Sequence, residues 1–97
     1  MTSAATTPGD IDASFSGPII AEKNSGWLCV VMPDSGDFFG TRKAVKVSGE
    51  ADGISFEATM MPMGDGTHMV PLKAALRQAL RKGLGDEVTV HLAQRRS

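Results

Sequence analysis

This 97-residue sequence is short of the side chains that most enzyme and metal chemistry needs. It has one cysteine, Cys29, and two histidines, His68 and His91, that stand far apart. One cysteine excludes an intrachain disulfide. With two separated histidines it makes no ligand set of the kind that holds zinc. No nucleotide-binding loop and no complete catalytic constellation can be picked out, so neither a cofactor nor a metal is expected. No apolar run approaches the roughly 18 residues of a membrane-spanning helix. The opening MTSAATTPGD has neither the basic start nor the apolar segment of a secretory signal. A cytoplasmic location is the resulting expectation, with no membrane partner.

What is present is ordinary for a folded domain. Apolar residues make up 41% and charged residues 22%, and a chain of this length forms one domain with one core. The net charge of −1 is unevenly spread. Residues 1–66 carry nine acids and four bases, and residues 67–97 carry two acids and six bases. The balance as a whole argues against nucleic acid as a partner, while the C-terminal third alone could meet an anionic one.

Hydropathy patterning predicts a mainly β domain. Residues 1–10, small and polar, read as a disordered tail; residues 11–94 read as the folded domain and 95–97 as a short C-terminal tail. Ile11, Ala13 and Phe15 alternate with polar residues, as in a half-buried strand. Trp27 to Met32 is an unbroken apolar run between Gly26 and Pro33, the pattern of a strand buried on both faces. Phe38 and Phe39 fall in a loop or short helical turn. Val45 and Val47 begin another strand, and Asp52-Gly53 suits a type I′ hairpin turn into the strand of Ile54, Phe56, Ala58 and Met60. His68 to Val70 reads as a short strand. From Pro71, the residues Leu72, Ala75, Leu76, Ala79 and Leu80 recur at helical spacing, with Gly83 as the expected C-terminal cap. Val88, Val90 and Leu92 alternate in a last strand. About six strands and one helix are best accommodated by a small barrel, since closure removes exposed edges.

These segments, in this order, resemble the bacterial family called Domain of Unknown Function nineteen-oh-five. The similarity rests on the strand through Phe15, Gly26-Trp27 with the strand ending at Pro33, Phe39-Gly40-Thr41-Arg42, and Val45-Lys46-Val47 followed by Asp52-Gly53. It continues through Pro62, Gly64-Asp65-Gly66-Thr67-His68, and the helix followed by Gly85-Asp86-Glu87-Val88. The resemblance implies a double-split β-barrel, distantly related in fold to the swapped-hairpin proteins of the AbrB and MazE type. It implies no activity, and the fold relation to nucleic-acid binders is an analogy of architecture alone.

Three groups of residues could carry function. The first is a soft apolar set, Trp27, Phe38, Phe39, Met61 and Met63, that could line a barrel mouth with Arg42 and His68 at its rim; the alternative is that these side chains only fill gaps in a small core. Such a mouth suits a non-enzymatic module that binds a small molecule or a protein. The second is the set Asp65, His68 and Arg42, the polar groups that a small enzyme using the same mouth would employ; the alternative is a turn followed by a strand. The third is Lys73, Arg77 and Arg81, spaced by four on the helix, which could hold an anionic group or partner surface, or nucleic acid if the fold analogy extended to function; the alternative is a solvated helix face. Cys29, inside the buried run, reads as an apolar filler.

Overall fold

Alternating burial sets the sheet, and the turn residues set where it folds back. The computed structural model describes residues 8–97. These hold β1 (Gly9–Pro18), β2 (Ile20–Ala21), β3 (Leu28–Met32), α1 (Ser35–Phe39), β4 (Val45–Ala51), β5 (Ile54–Pro62), β6 (His68–Pro71), α2 (Ala74–Leu80) and β7 (Glu87–Arg95). The strands form one antiparallel sheet in the order β1-β7-β4-β5-β6-β3-β2. Its inward face is lined by Val45, Val47, Met60, Val70, Val88, Val90 and Leu92, all at most 1% exposed.

The strand order imposes the curvature. β1 and β2 lie at opposite ends of the sheet, yet only Ile19 separates them in sequence. The sheet must therefore curl until both ends meet on one stretch of chain. Ile19 is buried at that corner, where its N–H donates to the Asp86 carbonyl and its carbonyl accepts from the Gly85 N–H, both at 2.8 Å. β1 packs along β3, with Gly17 against Val30, but β1 is laddered only to β7, and β3 only to β2 and β6. The fold is thus a curled half-barrel of seven strands, not the closed barrel of about six that the pattern predicts. Pro18 has no N–H to donate, and the two residues of β2 are too few to extend a ladder.

Two helices replace the expected one. α1 occupies the Phe38-Phe39 segment, ending at Gly40 with φ 69°. α2 is shorter than its apolar spacing predicts. Pro71 ends β6 instead of opening the helix, and Leu72 is buried before the helix begins. Leu76 and Leu80 pack on the core, whereas Ala75 and Ala79 are exposed. The C-cap is Arg81 at φ 58°, not Gly83. An Arg held in the left-handed region is strained where glycine would not be.

The ends of the chain also depart from the pattern. Residues 1–7 of the expected tail lie outside the described residues, but β1 already begins at Gly9, paired with Arg95. The last residues are bonded: the Arg96 N–H donates to the Lys46 carbonyl at 2.7 Å, and the Lys46 N–H donates to the Ser97 hydroxyl at 2.8 Å.

The Asp52-Gly53 turn has φ 47° and 84°, the two positive values of a type I′ turn. The Asp52 carboxylate accepts from Lys82 Nζ and from the Thr89 N–H, which ties the hairpin to β7 and to the end of α2. The lysine bond and then the amide bond hold this carboxyl below the usual aspartate range. A depressed folded pKa contributes stability above the unfolded value, near 3.8, and that contribution is lost as pH falls through the folded value.

Three outcomes follow for stability measured by urea denaturation. Wild type should exceed Asp52→Asn at pH 7, and the gap should narrow at pH 3; an equal gap at both would show that the charge plays no part. A Cβ at Gly49 would collide with the His91 carbonyl at the bulge between β4 and β7, so Gly49→Ala should cost about 3 kcal/mol, while Gly83→Ala, with open space around it, should change stability by less than about 0.5 kcal/mol. Arg81→Gly should stabilise by up to about 1 kcal/mol, because it relieves the left-handed cap; a clear loss there would mean that the arginine side chain outweighs the strain.

Candidate functional site

The side chains singled out in the sequence separate into two places. Phe38, Phe39, Arg42 and His68 gather around α1 and the Gly64-Asp65-Gly66 loop. Trp27, Met61, Lys73 and Arg77 gather on the outside of the sheet beside α2.

The first place is a structural joint. Gly36 of α1 donates its N–H to the Gly66 carbonyl at 2.9 Å, and no Cβ fits at Gly36 between them. Phe39 is 1% exposed, edge-on to both Phe38 and His68, with the Arg95 guanidinium 5.6 Å from its ring centre. His68 is fully buried. Its Nε2 lies 2.8 Å from the Lys43 carbonyl, which can only accept, so Nε2 carries the hydrogen. Nδ1 then accepts from the Ser35 hydroxyl at 2.8 Å, and that oxygen accepts from the His68 N–H at 2.6 Å. Both ring nitrogens are thereby used within the fold.

Asp65 does not orient the imidazole. Its carboxylate accepts from the Thr67 hydroxyl and the Thr67 N–H, and these bonds, with a smaller contribution from Arg42, hold its carboxyl below the usual range. Arg42 is exposed. The set Asp65, His68 and Arg42 is therefore not assembled as a base, its orienting acid and a rim cation: the histidine is sealed in the core and the acid closes its own turn. Phe39 and His68 likewise do not reach a barrel mouth.

The second place is an open groove. Trp27 lies just outside β3 and is 52% exposed, where the uninterrupted run predicts it inside the strand. The N–H of Leu72 donates to the Leu28 carbonyl at 2.9 Å, which fastens the β6–α2 junction across the start of β3. Between this junction and Trp27 lies a cavity of about 520 Å³, walled by Trp27, Leu28, Met61, Pro71, Leu72 and Ala74, with Gly26, Thr59, Lys73 and Arg77 completing it. Met63 is not part of it. It lies on the far side of Trp27, in a smaller cavity of about 250 Å³ with Glu22, Met61 and Met69.

The basic line is only partly formed. Lys73 and Arg81 are the caps of α2, and Arg77 alone lies within it. Arg77 is half-buried, and its Nε–H donates to the Leu72 carbonyl at 3.0 Å, so the guanidinium is drawn back over the junction. Arg81 lies outside the groove. Gly26, Leu28, Thr59, Pro71, Leu72 and Ala74 complete the groove without a sequence signal that marks them for it. Leu72 fits the helix stripe, and only the start of α2 at Ala74 sets it at the junction instead.

Other features are inert by the same physical criteria. Cys29 is fully buried, and that burial, with the nearby Glu22 charge, pushes its thiol pKa up, away from the thiolate that reactivity needs. His91 pairs with Asp12 at 2.8 Å on the surface of the sheet. Among the described residues no group of three or more His, Cys, Asp or Glu is placed to hold a metal ion. Nor is any helix there long and apolar enough to cross a membrane.

No curated protein matches the chain. Residues 15–92, from β1 through Leu92 of β7, match the sequence model of a family described as Domain of unknown function (DUF1905). The match covers both halves of the sheet, both helices and the groove between Trp27 and α2, and the chain belongs to that family.

Proposed function

We propose that this domain is a non-enzymatic binding module, and that the groove between Trp27 and α2 receives a small, largely apolar molecule. The observation that carries this reading is the placement of the only tryptophan. A domain that buries Phe39, Met60 and Leu92 almost completely leaves Trp27 half exposed, against a concave apolar surface of ligand-pocket size. Leu84, the other large apolar side chain exposed among the described residues, does not border the groove. Burying an indole face on an apolar ligand is worth about 25 cal/mol for each Å² removed from water. The groove is framed by backbone that the sheet fixes, so little ordering is needed on binding.

The emission of Trp27 reports on the groove directly. In the free protein it should be quenched by acrylamide. Octanol, a neutral apolar probe, should shift the emission to shorter wavelength and reduce quenching. Trp27→Ala should cost less than about 1 kcal/mol in stability, because the side chain is half in water already. A Trp27 that is shielded without any probe, or that does not respond to octanol, would remove the basis for the groove as a binding site.

A further inference from the structure

The charge around the groove is of one sign. Lys73 and Arg77 both border it, and no carboxylate does. The acids nearest in the fold are engaged elsewhere. Glu22 opens on the far side of Trp27, where it accepts from the Asn24 and Ser25 N–H groups and from the Ser25 hydroxyl. Glu57, which lines the neighbouring cavity that Lys73 also borders, pairs with Arg96 at 3.0 Å. Neither Lys73 nor Arg77 takes part in the ion pairs Lys82–Asp52 and Arg96–Glu57. Among the described residues the Arg77 side chain makes one hydrogen bond, through Nε to the Leu72 carbonyl, and that bond holds the guanidinium at the groove without using its terminal nitrogens. A guanidinium so held matches a carboxylate or a phosphate ester in geometry and charge.

We infer that the groove selects an amphipathic monoanion: a small molecule with an apolar body lying along Trp27 and Met61 and one anionic head between Lys73 and Arg77. This deepens the binding reading and rests on it, since an empty or closed groove could select nothing. The anion adds what an apolar groove alone lacks, namely polarity of orientation. The head is fixed at the α2 end and the tail is directed past Trp27.

Three probes with one tail and different heads separate the two ideas: octanoate, octanol and octylammonium, each titrated against Trp27 emission at low salt. Octanoate should bind about tenfold or more tightly than octanol, as expected for one charge-assisted hydrogen bond, and octylammonium more weakly than both. Added salt should reduce the advantage of octanoate and leave octanol unchanged. Lys73→Gln and Arg77→Gln should each bring octanoate toward octanol without altering octanol. Lys73 is exposed and its side chain has no ion-pair partner among the described residues, so its variant gives an answer even if Arg77→Gln weakens the fold. Equal affinity for all three heads would overturn the anion selection and leave the groove standing. No response to any of them would overturn the groove and the selection together. An advantage of octanoate over octanol that survives Lys73→Gln and Arg77→Gln in folded protein would also overturn the selection.

Discussion

The architecture depends on one constraint: the two ends of the sheet are a single stretch of chain that turns at Ile19. The backbone bonds of Ile19 to Gly85 and Asp86 pin that turn against the start of β7. Once the turn is fixed, β1 must run along β7 while β2 runs along β3 and β3 along β6, and the sheet can only curl. The antiparallel ladder of β3 and β6 sets the start of β3 beside the end of β6, where the Leu72–Leu28 bond continues it by one position. The groove opens beside this junction. Its walls come from Trp27 and the start of β3 and from β5, its floor from the β6–α2 junction and its cations from α2 and its N-cap, so none of these elements forms it alone.

The same geometry explains why the groove stays open. A helix of seven residues is about 10 Å long, too short to cover a sheet of seven strands. α2 reaches the core through Leu76 and Leu80 and leaves Trp27 and Met61 uncovered on one side. Exposed apolar surface of this kind costs free energy in water and is commonly retained where something is to be bound. At the opposite end, α1 shows the alternative. It seals Phe39 and His68 beside the Gly64-Asp65-Gly66 loop, and no buried side-chain nitrogen or oxygen among the described residues lacks a partner.

Much of the fold could be read from local patterns. The alternation of Val88, Val90 and Leu92, the Asp52-Gly53 turn and the burial of Cys29 each follow from short-range rules, and each is found in place. What local patterns could not reveal depends on long-range pairing. Trp27 belongs to the same apolar run as Leu28 to Met32, and nothing in that run says that β3 starts one residue later, at Leu28. Leu72 fits the helical spacing of Leu76 and Leu80, but the chain is still extended there. Asp65 and His68 have the spacing of an acid and a base, yet Thr67 captures the acid and Ser35, distant by 33 residues, captures the histidine. Two separate sequence features, a Trp27–Met61 apolar set and a Lys73–Arg77 basic pair, turn out to be walls of one cavity. Only the curled sheet could bring them together.

The claim that this groove is where the domain meets a ligand is tested most directly by locating a bound probe. Intermolecular nuclear Overhauser effects from octanoate to the protein would do so at the level of single protons. The account predicts contacts from the chain methylenes to the Trp27 indole and the Met61 methyl group, with the carboxyl-proximal methylene nearest Arg77. Contacts confined to Ile54 and Phe56, which line a separate cavity on the far side of α2, or their complete absence at saturating octanoate, would contradict it.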